Sequence, residues 1–135
     1  MPEHATYDYA VIRVVPRVDR AEFVNVGVIV SCQRSDLLEA RIEVNEQRLL
    51  ALDPGLDLRA VRKHLAAIPA ICAGGETAGP IGRLSRRERF DWLTAPRSTM
   101  IQTSPVHSGR CQHPGEVIEH LLATMVRLPA RRDRE

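Results

Sequence analysis

Arg86, Arg89, Trp92, Arg97, Gln102 and His107 all fall within residues 85–109. A guanidinium fork suits carboxylate or phosphate, because two parallel N–H groups meet two oxygens. Arg86 and Arg89 are three apart, a spacing that puts them on one helix face, and Arg97 follows closely enough to converge with them. His107 is the one catalytic candidate, since imidazole gains and loses a proton near neutral pH. Arg86, Arg89, Trp92, Arg97 and Gln102, joined by Asn25 from an earlier strand, are candidate contacts to a ligand or partner. Blander roles compete. Arg86 and Arg89 could be solvated and balanced by Glu88 and Asp91. His107 could simply bond its Pro/Gly-marked turn, and Trp92 with Phe90 fits core anchoring better than base stacking. A nucleophile at Ser104 or Ser108 beside His107 lacks a third orienting group and a strained elbow motif.

Other constellations are weaker. Glu22, Asn25, Glu39 and Glu43 could do acid–base work or hold a metal, but strict alternation favours a solvated strand face. Cys32, Cys72 and Cys111 form no CxxC or Cys/His pair, which disfavours a metal site and a disulfide framework. Cys32 and Cys72 read as small buried hydrophobes, and Cys111 as a residue of a polar loop. Residues 73–80 are Gly-rich but lack the GK[ST] of a phosphate loop, so they read as a flexible linker. No cofactor is implied, and no motif names a reaction.

The 135-residue chain is long enough for one core, and its hydrophobic fraction of 44% is ordinary for a globular domain. Only 4% is aromatic, so aliphatic side chains must fill that core. A net charge of +2 is too mild to argue for nucleic acid. The basic residues are 18 Arg and one Lys, spread along the chain, which reads as compositional bias. The start has no signal-peptide pattern, and no apolar run approaches the roughly 20 residues of a membrane span. These features point to a cytoplasmic protein without a membrane partner.

Residues 7–15 are β-rich. Val24, Val26, Val28 and Val30 then alternate with their neighbours, which predicts a strand with one aliphatic face. PRVDRAE between them predicts an antiparallel hairpin, and Gly27 a bulge or a close backbone. Residues 38–44 predict a third strand with one wet face. Residues 45–52 form a short helical turn. Asp57 caps a helix striped with Leu58, Val61, Leu65 and Ile68, which Pro69 ends or kinks. Ser85 and Glu88 make a capping box for a helix that runs to about Leu93 and buries Phe90 and Leu93. Residues 98–104 predict a fourth strand, with Met100 and Ile101 on opposite faces. Pro114 opens a last helix with an apolar face of Val117, Ile118, Leu121, Leu122, Met125 and Val126. The expected fold is α+β: a mostly antiparallel sheet of about four strands with two main helices packed on one face. It forms a single domain over 1–129, and 130–135 is a charged, disordered tail.

Two stretches, YDYAVIRVVPRVDRAEFVNVGVIV and ERFDWLTAPRSTMIQTSPVHSG, resemble an uncharacterised bacterial family known as domain of unknown function 3037. The resemblance runs from about Tyr7 to Val126. Its recurrent positions fall on Phe23, Asn25 and Gly27, on Glu88, Arg89, Phe90, Trp92, Pro96 and Arg97, and on Gln102, Pro105, His107 and Gly109. His113 stands where the family tends to have Asp, a better helix cap. The family carries no established activity. Its frequent gene neighbour, a HipA-like protein-kinase homologue, implies a partnership. Two functions are therefore expected: a small binding partner or regulator of such a kinase, as in a toxin–antitoxin pair, or an enzyme or binding protein for a small phosphate or carboxylate using the Arg/His residues.

Overall fold

The computed structural model describes residues 4–130. The expected tail, 130–135, thus lies outside the described residues apart from Ala130. Five strands, β1 (Ala5–Val14), β2 (Val24–Cys32), β3 (Leu37–Ile42), β4 (Ile101–Thr103) and β5 (His107–Cys111), form one antiparallel sheet. The order is β3-β2-β1-β4, and β5 also pairs with β1. β4 and β5 therefore share one edge of β1, β4 against Ile12–Val14 and β5 against Ala5–Tyr9. Ser104 bridges the gap between them. Its amide donates to Val11 O at 2.8 Å, and its Oγ accepts from the Val11 N–H at 2.8 Å. The buried Val11 amide, which the interrupted ladder would orphan, is satisfied in this way. β5 is the strand that the sequence hides: HSGRC has no apolar alternation, and Cys111 lies in it rather than in a loop.

The valine run of β2 does not line one face. Ile12 pairs with Gly27 but Arg13 pairs with Asn25, so Val26 is an extra residue. Such a bulge reverses the parity of side chains beyond it. Val24 and Val26 join Ile12, Val14 and Ile29 in one cluster, whereas Val28 and Val30 join Val11 in another. Gly27 is required beside it, because a Cβ there would sit 2.6 Å from Arg41 O.

Each sheet face takes its own helices. α1 (Glu46–Leu52) is capped by Asn45, and α2 (Leu58–Ala73) by Asp57. α3 (Arg86–Thr94) carries the capping box of Ser85 and Glu88. Leu49 of α1, Val61, Leu65, Ile68 and Ile71 of α2, and Phe90 and Leu93 of α3 fill the first cluster. α4 (Pro114–Leu121) and the π turn over Leu122–Val126 fill the second with Val117, Ile118, Leu121, Leu122 and Val126. The α+β class and the antiparallel sheet are as expected, but α2 and α4 pack on opposite faces rather than one. The bulge is the physical reason: it supplies a valine face to each side.

Four local expectations are corrected. α2 continues through Pro69 to Ala73, so Pro69 does not end it. Residues 73–80 are not a plain linker, because 3₁₀ turns run over Glu76–Arg83 and Gly75 N–H donates to Gly82 O at 3.1 Å. Met100 and Ile101 both lean on the first cluster. Met125 is 40% exposed, because the π turn carries Arg127 N–H to Leu122 O. That widening puts Val126, not Met125, at the buried position. His113 makes no side-chain cap, and Pro114 begins α4 without one. No helix among the described residues is long and apolar enough to cross a membrane.

Candidate functional site

α3 is short, and its two ends are closed by two arginines. At the start, Arg89 is 7% exposed. Its Nη1 donates to the carbonyls of Ile71 and Cys72 at 2.7 Å each, and its Nε to Leu84 O at 3.1 Å. The charge thus caps the C-terminus of α2, where carbonyls lack helical partners and the dipole is negative. At the other end, Arg97 Nη2 donates to Trp92 O at 2.7 Å, and its Nη1 to Leu93 O and Ala95 O at 3.0 and 3.1 Å. Its guanidinium carbon lies 4.6 Å from the Trp92 ring centroid. Arg86, in the first turn, is exposed whereas Arg89 is buried. The three arginines therefore do not converge. Neither Arg86 nor Arg89 is balanced by Glu88 or Asp91: Asp91 pairs with Arg87 at 3.2 Å, and Glu88 bonds Ser85 N–H at 3.2 Å.

Trp92 and Phe90 also part company. Phe90 is fully buried, but Trp92 is 42% exposed. Trp92 and Arg97 wall a cavity of about 460 Å³ between α2, α3 and the approach to β4. Its floor is Ala67, Ile68 and Ile71 of α2 with Leu93, Met100 and Ile101. His64, Thr99, Gln102 and Thr103 supply polar groups at its margin. The loop is tied by its own bonds: Gln102 Nε2 donates to Thr99 O at 2.8 Å and Thr99 Oγ1 to Ile101 O at 3.1 Å. The cavity is thus a mostly apolar recess with few polar groups, the usual make-up of a binding pocket.

Arg97 is the charge of this recess. No carboxylate pairs with it among the described residues. The three carbonyl bonds use one Nη2–H and both Nη1–H groups, leaving Nε–H and one Nη2–H of its five donors. Arg127 uses that same pair of atoms, Nε and Nη2, to hold both oxygens of Glu43 at 2.8 Å.

The remaining predicted residues lie elsewhere. His107 is exposed, opposite Tyr9 in the ladder, with ring centroids 5.6 Å apart. Tyr9 packs on the α4 cluster, so His107 faces away from the Trp92 recess. Asn25 is also on the α4 face, where its Nδ2 donates to Met125 O at 3.0 Å. Its Oδ1, and Nε of Arg13 opposite it, are buried without a partner among the described residues. The carboxylates near β2 and β3 are held one by one: Glu22 by Arg20, Glu39 by Arg41 and Glu43 by Arg127. No group of His, Cys, Asp and Glu among the described residues could hold a metal ion.

Of the predicted set, then, Trp92, Arg97 and Gln102 meet in one recess. His64, Ala67, Thr99 and Met100 were missed. The signal was the second half of α2, AAIPAICA, which is apolar around more of its girth than one buried stripe needs.

Residues 9–126 match the family described as "Protein of unknown function (DUF3037)". No curated protein and no solved structure matches the chain.

Proposed function

The chain belongs to the DUF3037 family, and we propose that it is a binding module that docks on a protein partner through the Trp92 recess. The observation that carries this reading is a half-exposed tryptophan with a guanidinium stacked on its ring and fixed by three backbone carbonyls. Trp and Arg dominate the energetics of protein interfaces. Here both are already ordered, so little side-chain entropy is lost on docking. The apolar floor takes a hydrophobic side chain of the partner, and Arg97 takes an adjacent carboxylate. The HipA-like kinase homologue implied by the family resemblance is the partner to test, with this protein as its regulator in a cytoplasmic pair. Affinity purification of the tagged protein from its native cells, with mass spectrometry of the eluate, tests this. A stoichiometric kinase homologue supports the reading, provided that Trp92→Ala abolishes recovery. Undiminished recovery with Trp92→Ala refutes the recess as the docking site.

A second reading rests on the cavity volume of about 460 Å³, which lies in the range of small-molecule pockets. In that reading the occupant is a small apolar carboxylate or phosphate ester, held by Arg97. A ligand raises the melting temperature by mass action. A melting screen of such anions against wild type and Arg97→Ala separates the two readings, and an increase abolished by Arg97→Ala favours the small ligand.

A further inference from the structure

We infer that the free edge of β3 pairs with the β3 edge of a second copy of this chain, joining two sheets into one across a two-fold axis at Ala40. β3 pairs with β2 on one side only. On that inner side the Glu43 N–H donates to Val26 O at 2.8 Å. Backbone groups alternate along an antiparallel strand, so Arg41, Glu39 and Leu37 also point inward. Leu38, Ala40 and Ile42 point their N–H and C=O groups outward. Among the described residues those groups meet no partner. An unpaired row of this kind is a template for another strand.

The sequence of the edge fits itself. An antiparallel pair centred on Ala40 sets Leu38 opposite Ile42 of the second copy, and Ala40 opposite Ala40. These are the outward-pointing residues, so each such pair exchanges both hydrogen bonds. Glu39 then falls opposite Arg41 of the second copy, twice by symmetry, at the non-hydrogen-bonded positions where side chains approach most closely. Both side chains are partly exposed, 43% for Glu39 and 41% for Arg41, and they share the α4 face, where Arg41 Nη1 reaches Glu119 at 2.9 Å. On the other face Leu38, Ala40 and Ile42 pack against the α2 cluster, so pairing makes that apolar layer continuous. Charged edges normally block association by placing like charges opposite one another. Here the two-fold operation places opposite charges together, the self-complementarity that an isologous dimer requires.

Sedimentation or light scattering of the full chain tests the inference. Wild type is expected at twice the 15.1 kDa monomer mass. Glu39→Arg and Arg41→Glu, each alone, place like charges across the axis and are expected as monomers. An equimolar mixture of the two restores complementary pairs, and a heterodimer is expected. Ala40→Pro removes only an outward N–H, so it is expected to stay folded by circular dichroism and to run as a monomer. A monomeric wild type overturns the inference, as does a dimer that persists in Ala40→Pro or in both charge variants. The recess at Trp92 is lined by none of these residues, so failure here leaves the proposed docking site standing and the reverse also holds.

Discussion

A Cβ on Gly74 would lie 2.8 Å from Nη1 of Arg89, so the end of α2 is built around that guanidinium. Gly74 also has φ of +76°, a conformation that glycine adopts at little cost. Arg89→Met leaves the carbonyls of Ile71, Cys72 and Leu84 without their donor in a buried place. The expected loss is about 2–4 kcal/mol. Gly74→Ala combines backbone strain with overlap on the guanidinium, with an expected loss of about 1–3 kcal/mol. Urea unfolding with a constant slope checks both.

Asp8 ties the sheet to α3. Ser108 Oγ donates to its Oδ1 at 2.6 Å, and Arg87 Nη1 to its Oδ2 at 2.7 Å. The Ser108 hydroxyl first, and the Arg87 guanidinium second, hold its carboxyl below the usual carboxylate value. A depressed folded pKa stabilises above the unfolded value of about 4 and is lost as pH falls below it. Asp8→Asn is expected to cost roughly 1 kcal/mol at neutral pH. The difference from wild type should shrink as the pH falls from about 5 through the folded pKa. Melting temperatures across that range read the effect, and a constant difference would contradict it.

Cys32 and Cys72 are buried free thiols, whereas Cys111 is partly exposed. Burial pushes the Cys72 thiol up to about 12 and also raises Cys111, which is only partly buried. A thiol reagent near pH 8 is expected to label Cys111 alone and slowly in the native protein. Cys32 and Cys72 should react only after unfolding, because both are buried away from the reagent. Rapid native labelling of Cys72 would show that the end of α2 opens.

Local signals in the sequence survive folding because they are settled within a turn of chain. The Ser85–Glu88 capping box, the Asp57 cap, the short helix after Asn45 and the Val-rich strands all form as their residues dictate. What the sequence conceals is decided by distant partners. The bulge at Val26 appears only once β2 meets β1, and it sends α4 to the face opposite α2. β5 is a polar strand held by its ladder to β1, with no apolar pattern of its own. Arg89 and Trp92 reverse their expected exposures because α2 ends beside the first and no core element covers the second. Arg86, Arg89, Arg97 and His107 look alike as polar groups in one segment, yet their heads reach different ends and faces of the fold.

Ser104 offers a direct check of the interrupted sheet edge. Ser104→Ala removes the acceptor for the buried Val11 N–H. The expected loss is about 1–2 kcal/mol, with faster amide exchange confined to Val11 and its neighbours. An unchanged protection pattern would mean that Val11 finds another partner.

The recess contains the only tryptophan of the chain, so its indole N–H gives a single side-chain signal in a ¹⁵N-labelled sample. Titration with the unlabelled kinase homologue is the most direct measurement of the docking surface. That signal is expected to shift together with the amides of Ala67, Ile71 and Arg97, and Arg97→Ala is expected to weaken the response. Binding with the indole signal unmoved, or no binding to wild type, would contradict docking of this partner through the recess.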